Sequence, residues 1–198
     1  MSERITVVGL GDSLAPASKS LAALKIALDA AVAAGADVEL FDIRALDLLF
    51  FRPGMGQASA AARRWAEAAC EASGHLWSSP LYHGTIGGSF KNALDWLQIL
   101  ADRDPPYLTD KVIGLISTAG GVHGLQAVNT MEFAVRALRG WAVPMVQPIP
   151  RAWEIFNADG SVRDPVVADQ LRALGREVVR AARQLAASGE CDYSSARV

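Results

Sequence analysis

Three short stretches of the chain concentrate the residue types that hold phosphates and flat aromatic rings. The first is Gly11-Asp12-Ser13-Leu14-Ala15-Pro16-Ala17-Ser18-Lys19-Ser20, small and hydroxyl residues placed directly before a helical pattern. Backbone N–H groups and serine hydroxyls in such a turn can converge on a phosphate. The positive end of the helix dipole adds a partial charge, and Lys19 supplies a full one. Neither GxGxxG nor the P-loop pattern GxxxxGK followed by Ser or Thr is satisfied, which disfavours a Rossmann dinucleotide fingerprint and a P-loop. An ordinary turn with Ser18 as helix cap accounts for the same residues. The second stretch is Ser79-Pro80-Leu81-Tyr82-His83-Gly84-Thr85-Ile86-Gly87-Gly88-Ser89, and the third is Ser117-Thr118-Ala119-Gly120-Gly121-Val122-His123-Gly124. Two adjacent glycines let the backbone approach a ring that a Cβ would hold off.

The elements between these stretches decide whether they can meet. Ile5 to Gly9 is a short β-branched run, read as a strand buried on both faces. Ser18 to Ala34 carries Leu21, Leu24, Ile26, Leu28 and Val32 at helical spacing and stops at Gly35. Val38 to Ile43 alternates as a second strand, Arg44 to Gln57 is a long connection, and Ala58 to Ala72 is helical. Gly74 to Ser79 is a third strand and Pro80 to Gly88 a small-residue loop. Ser89 to Ala101 is a helix with Ser89 as its cap. Lys111 to Ser117 is a fourth strand, Leu125 to Arg139 a helix, and Ala142 to Ile149 a fifth strand. Its two prolines put that strand at a sheet edge. After a loop containing Trp153, the helix Asp164 to Ala187 starts on Asp164 with Pro165 in its first turn, and residues 188–198 form a loose tail. Strand and helix alternate five times, the pattern of a parallel sheet covered on both faces by helices. Ligands of such sheets bind outside the carboxyl ends of the strands, where all three stretches fall.

Composition removes other classes. The 198 residues suit a single domain over 1–187, large enough to fold without disulfides or metal. With 19 basic and 21 acidic residues there is no charge excess to favour nucleic acid or an anionic membrane. Cys70 and Cys191 form no CxxC pair, and His75, His83 and His123 have unrelated spacings, so no metal site is expected. No signal peptide or spanning segment is visible, which makes a cytoplasmic setting the default.

The second stretch resembles a family motif. Pro80, Tyr82, Gly88, Lys91, Asn92, Leu94, Asp95 and Trp96 fall in step with P-x-Y-x-x-x-x-x-G-x-x-K-N-x-L/I-D-W of the NADPH-dependent FMN reductase family. That family includes flavin, chromate, azo and quinone reductases. The resemblance extends in element order from about Ile5 to Ala187. It implies a flavodoxin-like α/β sandwich of three layers, with a five-stranded parallel sheet in the order 2-1-3-4-5. The first stretch resembles the family's phosphate loop G-S-x-R-x-x-S, but Asp12 stands where glycine is common and Ala15 where the arginine often is. The variant ending S-R-S fits better, as Ser18-Lys19-Ser20. On that match Ser13, Ser18, Lys19 and Ser20 hold the FMN phosphate. Pro80, Leu81, Tyr82, His83 and Gly84 contact the ribityl chain and ring edge, and Thr118, Gly120, Gly121 and Val122 contact the pyrimidine side. Lys91, Asn92, Asp95 and Trp96 serve folding or subunit contacts. Trp96, Leu97 and Leu100 form either an interface stripe or core.

The resemblance implies an oxidoreductase in which NADPH or NADH gives hydride to FMN and a small-molecule acceptor takes the electrons. No side chain is expected to act as essential acid or base, since the hard chemistry belongs to the cofactor. Family dimers that complete the flavin site between subunits imply a homodimer or homotetramer. Phe50-Phe51-Arg52-Pro53 or Trp153-Glu154 would then cover a neighbour's flavin. Two rivals remain. A carrier flavodoxin is usually strongly acidic, unlike this chain at −2. A flavin-binding module without turnover would fit the missing arginine.

Overall fold

The computed structural model describes residues 4–12, 14–15, 17–54 and 58–188. Strands β1 (Thr6–Gly11), β2 (Asp37–Asp42), β3 (Gly74–Tyr82), β5 (Val112–Thr118) and β6 (Trp141–Ile149) run parallel in the order β2-β1-β3-β5-β6. The two-residue β4 (Thr85–Ile86) is added antiparallel to β3. The expected order 2-1-3-4-5 is therefore present, with the strand numbers shifted by the hairpin. β6 pairs only with β5, so its prolines sit on an edge.

Alternating residues of the central strands feed two cores. On one face Val8, Leu10, Trp77, Ile113 and Leu115 pack under α3 (Ala60–Glu71), α4 (Gly88–Asp95) and α5 (Gly124–Ala137). Trp65, Phe90 and Trp96 fill that layer, with Phe41 edge-on to Trp65 and Phe90 edge-on to Trp77. On the other face Val7, Leu76, Val112 and Ile116 pack under α1 (Lys19–Ala33) and α7 (Pro165–Ala187). α7 opens as its sequence indicates, Asp164 accepting from the Val166 N–H at 2.9 Å with Pro165 in the first turn. None of the described helices is long and apolar enough to cross a membrane.

Several boundaries differ from those the sequence indicates. β3 runs three residues further, because Leu81 and Tyr82 pair with Ile86 and Thr85 across a two-residue turn. His83 and Gly84 have φ values of +48° and +85°, the left-handed pair that a tight hairpin with the sheet's twist requires. The helix expected over 89–101 starts one residue earlier and gives way to a 3-10 turn at Trp96–Leu100. Gly87 is its cap residue rather than Ser89, whose hydroxyl is spent elsewhere. Trp96, Leu97 and Leu100 are buried in the core, which settles them as packing residues. Short helices α2 (Ile43–Leu46) and α6 (Ala152–Ile155) occupy stretches read as loop. Residues 189–198, most of the expected tail, lie outside the described residues, as does Cys191.

His75 sits fully buried on β3. Its Nε2 lies 3.0 Å from the Ala69 carbonyl and so carries the donated proton, while Nδ1 has no partner. Burial, helped by the charge of Lys111 and opposed by the Ala69 carbonyl, pushes its pKa down from 6.5 to about 3. The unfolded chain takes up a proton below pH 6.5 that the folded protein refuses until about pH 3. Folding stability is therefore unaffected by His75 above pH 6.5 and falls below it by about 1.4 kcal/mol per pH unit. Urea denaturation at pH 7.0, 6.0 and 5.0 is expected to show this slope in the native protein. The slope should be reduced in His75→Gln, and identical slopes would show that His75 is not the group responsible.

Candidate functional site

The carboxyl ends of β1, β3 and β5 carry the three stretches and bring them to one edge of the sheet. Ser18 caps α1, its Oγ accepting from the Leu21 N–H at 3.0 Å. This uses one of the N–H groups that a helix start leaves without intrahelical partners, and the others stay directed outward. Ser20, in the first turn of α1, is buried, and its hydroxyl lies 2.5 Å from that of Thr118 at the end of β5. Its backbone carbonyl accepts from Ser78 Oγ on β3 at 2.8 Å. Helix α1 is thus fastened to both neighbouring strands beside its own N-terminus.

A cavity of about 230 Å³ opens there. Of the residues expected from sequence, Ser18, Lys19, Ser20, Pro80, Leu81, Tyr82, Thr118 and Gly120 line it together. His83 and Gly84 lie instead at the exposed hairpin tip, and Gly121 and Val122 are exposed without lining the cavity. Ser13 lies outside the described residues.

Two residues that sequence reasoning did not place here complete the wall, Ala152 and Trp153 of α6. The Trp153 indole N–H donates to the Gly120 carbonyl at 3.3 Å, and the Arg151 and Ala152 N–H groups donate to Gly121 and Ala119. The segment after β6 therefore braces the third stretch. An aromatic residue just past the carboxyl end of a strand is the signal that could have located it. Trp153 and Tyr82 are both more than half exposed at the cavity.

Asp12 is the other residue with an unforeseen part. It is almost fully buried, and its backbone N–H donates to the Ser78 carbonyl at 2.9 Å. Its carboxylate accepts from Ser89 Oγ at 2.6 Å and more weakly from Ser79 Oγ at 3.4 Å. Ser79 Oγ in turn accepts from the Gly87 N–H at 3.1 Å. Burial pushes the Asp12 carboxyl above its ordinary pKa, opposed by the hydrogen bonds from Ser89, Ser79 and the Phe90 N–H. Because Phe90 lies in the first turn of α4, Asp12 caps that helix from a different loop, where Gly87 has no side chain to do so. A Cβ on Gly87 would stand 2.0 Å from Asp12 Oδ2, so only glycine leaves room for the carboxylate.

The family motif residues behind the second stretch serve folding. Asn92 accepts from the Phe51 N–H at 2.8 Å and donates to the Leu49 carbonyl at 3.1 Å, which also accepts from the Trp96 indole at 2.8 Å. Lys91 pairs with Asp95 along the helix.

Comparison with known proteins places this geometry. The family described as NADPH-dependent FMN reductase matches residues 5–154. The NADPH-dependent FMN reductase ArsH of Acidithiobacillus ferrooxidans is 28% identical over 120 residues, 61% of this chain and 49% of that protein. The FMN-dependent NADPH-azoreductase of Staphylococcus aureus is 30% identical over 130 residues, 63% of this chain and 66% of that protein. The chain spans about half the length of the first of these relatives. Among solved structures, FerB, a flavoenzyme NAD(P)H:(acceptor) oxidoreductase from Paracoccus denitrificans, superposes with a TM-score of 0.72 at 21% identity. That match covers 92% of this chain and 98% of FerB.

The Asp12–Gly87 contact makes a quantitative prediction. Gly87→Ala is expected to cost about 2–3 kcal/mol by overpacking against the carboxylate. Asp12→Gly introduced into that background should cost less than it does in the native protein. A double-mutant cycle by urea denaturation measures this coupling, and strict additivity would mean that the two sites do not touch.

Proposed function

The chain belongs to the NADPH-dependent FMN reductase family, and from that premise we propose that it is an FMN-dependent NAD(P)H oxidoreductase delivering electrons to a small acceptor such as a flavin or a quinone. The observation that carries this reading is the single cavity in which the start of α1, with Lys19, meets Pro80, Leu81, Tyr82, Thr118 and Gly120.

The residues fit FMN. At one end the first turn of α1 offers backbone N–H groups, Ser18 a hydroxyl and Lys19 an ammonium, a donor set suited to a phosphate dianion. Ser20 contributes from the backbone, since its hydroxyl is engaged by Thr118. At the other end a Cβ built on Gly120 or Gly121 meets nothing within 4 Å, so the backbone there presents open space in which a flat ring can lie. Pro80, Leu81 and Tyr82 supply a wall, with Tyr82 and Trp153 exposed beside it. Backbone groups of the 80–82 and 118–120 segments, which line the cavity, hold the ring edge in this reading. Bound there, FMN would supply the hydride-accepting and electron-transferring chemistry. Among the described residues, Lys19 and Tyr82 are the only titratable side chains lining the cavity. We assign neither a proton-transfer role, so the protein's work is to anchor the phosphate, orient the ring and leave one ring face open to a nicotinamide.

Ala15 replaces the usual arginine, which leaves Lys19 as the cation at the anchor. FMN titrated into the purified protein, followed by flavin fluorescence, is expected to bind, and anaerobic NADPH to bleach the bound flavin. Lys19→Met should weaken FMN binding about tenfold through loss of one charge-assisted contact, and Ala15→Arg should tighten it. Binding without bleaching by NADPH or NADH would point to a carrier, and no binding would overturn the reading.

We also propose that the protein works as a homodimer or homotetramer. Leu49 and Phe50 are 61% and 75% exposed, beside a cavity of about 510 Å³ lined by Phe51, Arg52, Pro53, Trp96 and Ile99. Large apolar side chains held out beside a groove by Asn92 and Trp96 suit a second subunit. Light scattering is expected to give at least a dimer and Phe50→Asp to shift it toward monomer. A native monomer at tens of micromolar would refute this.

A further inference from the structure

A further cavity, of about 350 Å³, begins at the same residues that carry the proposed phosphate anchor. The two cavities share Ala17, Ser18 and Lys19 and diverge from there. The first leads to the strand ends, and the other follows α1 outward beneath the turn at residues 157–160. Its volume falls within the roughly 300–1,000 Å³ typical of small-molecule sites.

Its walls carry three kinds of group. Lys19 and Lys25 both face it, and among the described residues neither ammonium has a hydrogen bond or ion pair. Leu21, Ala22 and Ile26 give an apolar strip along α1. Across from them stands Asp159, whose Oδ1 is fixed by the Ser161 N–H at 2.9 Å and the Ser161 hydroxyl at 2.6 Å. Those two donors hold its carboxyl below the ordinary range, so it is ionised at neutral pH. Cations for a phosphate, a fixed carboxylate for ribose hydroxyls and an apolar strip for a base are the three parts of a nucleotide site.

The position and the carboxylate together select the nucleotide. A group lying directly beyond the FMN phosphate is most simply one bonded to it. A fixed carboxylate accepts from free ribose hydroxyls and repels a phosphate placed on one of them. We propose that this cavity is an adenylate subsite, so that the anchor at Ser18 and Lys19 takes FAD as well as FMN. The outer phosphate lies toward Lys25, the ribose hydroxyls toward Asp159 and the adenine along Leu21 and Ile26. This inference rests on the reading of the first cavity as the FMN site.

Lys25 is exposed on α1 and touches only the outer cavity, so its replacement separates the two sites. Flavin-free protein is titrated with FMN and with FAD, following quenching of flavin fluorescence for FMN and protein fluorescence for both. FAD is expected to bind within about threefold of FMN. Lys25→Glu should weaken FAD about tenfold while changing FMN less than about twofold. FAD binding a hundredfold more weakly than FMN, or Lys25→Glu weakening both flavins alike, overturns the subsite and leaves the FMN site standing. Displacement of FAD from the native protein by 2′,5′-ADP, with FMN unaffected, would assign the cavity to the nicotinamide nucleotide and also overturn it. If neither flavin binds, the reading of the first cavity fails and the subsite falls with it.

Discussion

A carboxylate taken out of water must find donors or give up its charge, and Asp12 meets that demand at the point where the first strand ends. Ser89, Ser79 and the Phe90 N–H all turn toward it, and each belongs to β3 or α4 rather than to its own loop. The consequence is structural. The turn after β1, the end of β3 and the start of α4 share one buried polar knot, and Gly87 must lack a side chain for the knot to close. Everything on the strand-end side of the sheet is placed relative to it: the first loop on one side, the hairpin at Tyr82–Thr85 on the other.

Three smaller ties extend that frame to the rest of the cavity. The Ser20–Thr118 hydroxyl contact and the Ser78–Ser20 bond hold the N-terminus of α1 against β3 and β5, and Trp153 holds the loop after β5 from the far side. Each bond is worth only about 1 kcal/mol. Their value lies in position, since they fix the start of α1 and the ends of β3 and β5 before any ligand arrives. A site that binds through backbone N–H groups and carbonyls depends on such pre-organisation more than one built from long side chains. The cavity has few titratable groups to compensate for a misplaced loop.

Much of this was legible in the sequence, for identifiable reasons. The five parallel strands follow from β-branched runs alternating with helical periodicity, and the edge position of β6 from Pro144 and Pro148. Asp164 and Pro165 marked the start of α7, and Gly35 the end of α1. The misses have a common cause, because each depends on a partner distant in the chain. His83–Gly84 is not a familiar hairpin pair, and only the pairing of residues 81–82 with 85–86 reveals the turn. Ser89 has the right type and place for a helix cap, but Asp12 lies 77 residues away and claims its hydroxyl. The place of Trp153 in its own chain's cavity is likewise hidden, because nothing local shows α6 folding back over Gly120. Lys91, Asn92, Asp95 and Trp96, by contrast, are expected from sequence to serve folding or subunit contacts, and their bonds run to residues 49–51 and to one another.

The same knot bears on an electrostatic difficulty in the proposed function. An anion site whose usual arginine is alanine, in a loop that also carries an aspartate, should bind a phosphate dianion poorly if the charges are simply summed. They do not sum in that way. The negative charge of Asp12 is directed at the N-terminus of α4, where the helix's partial positive end and three donors screen it. The N-terminus of α1, seven residues on, is left with its own dipole, its free N–H groups and Lys19. In the proposed reading each helix start thus faces a single anion, α4 the carboxylate and α1 the phosphate. An aspartate replacing the customary glycine is then compatible with phosphate binding, provided that α4 is there to receive it.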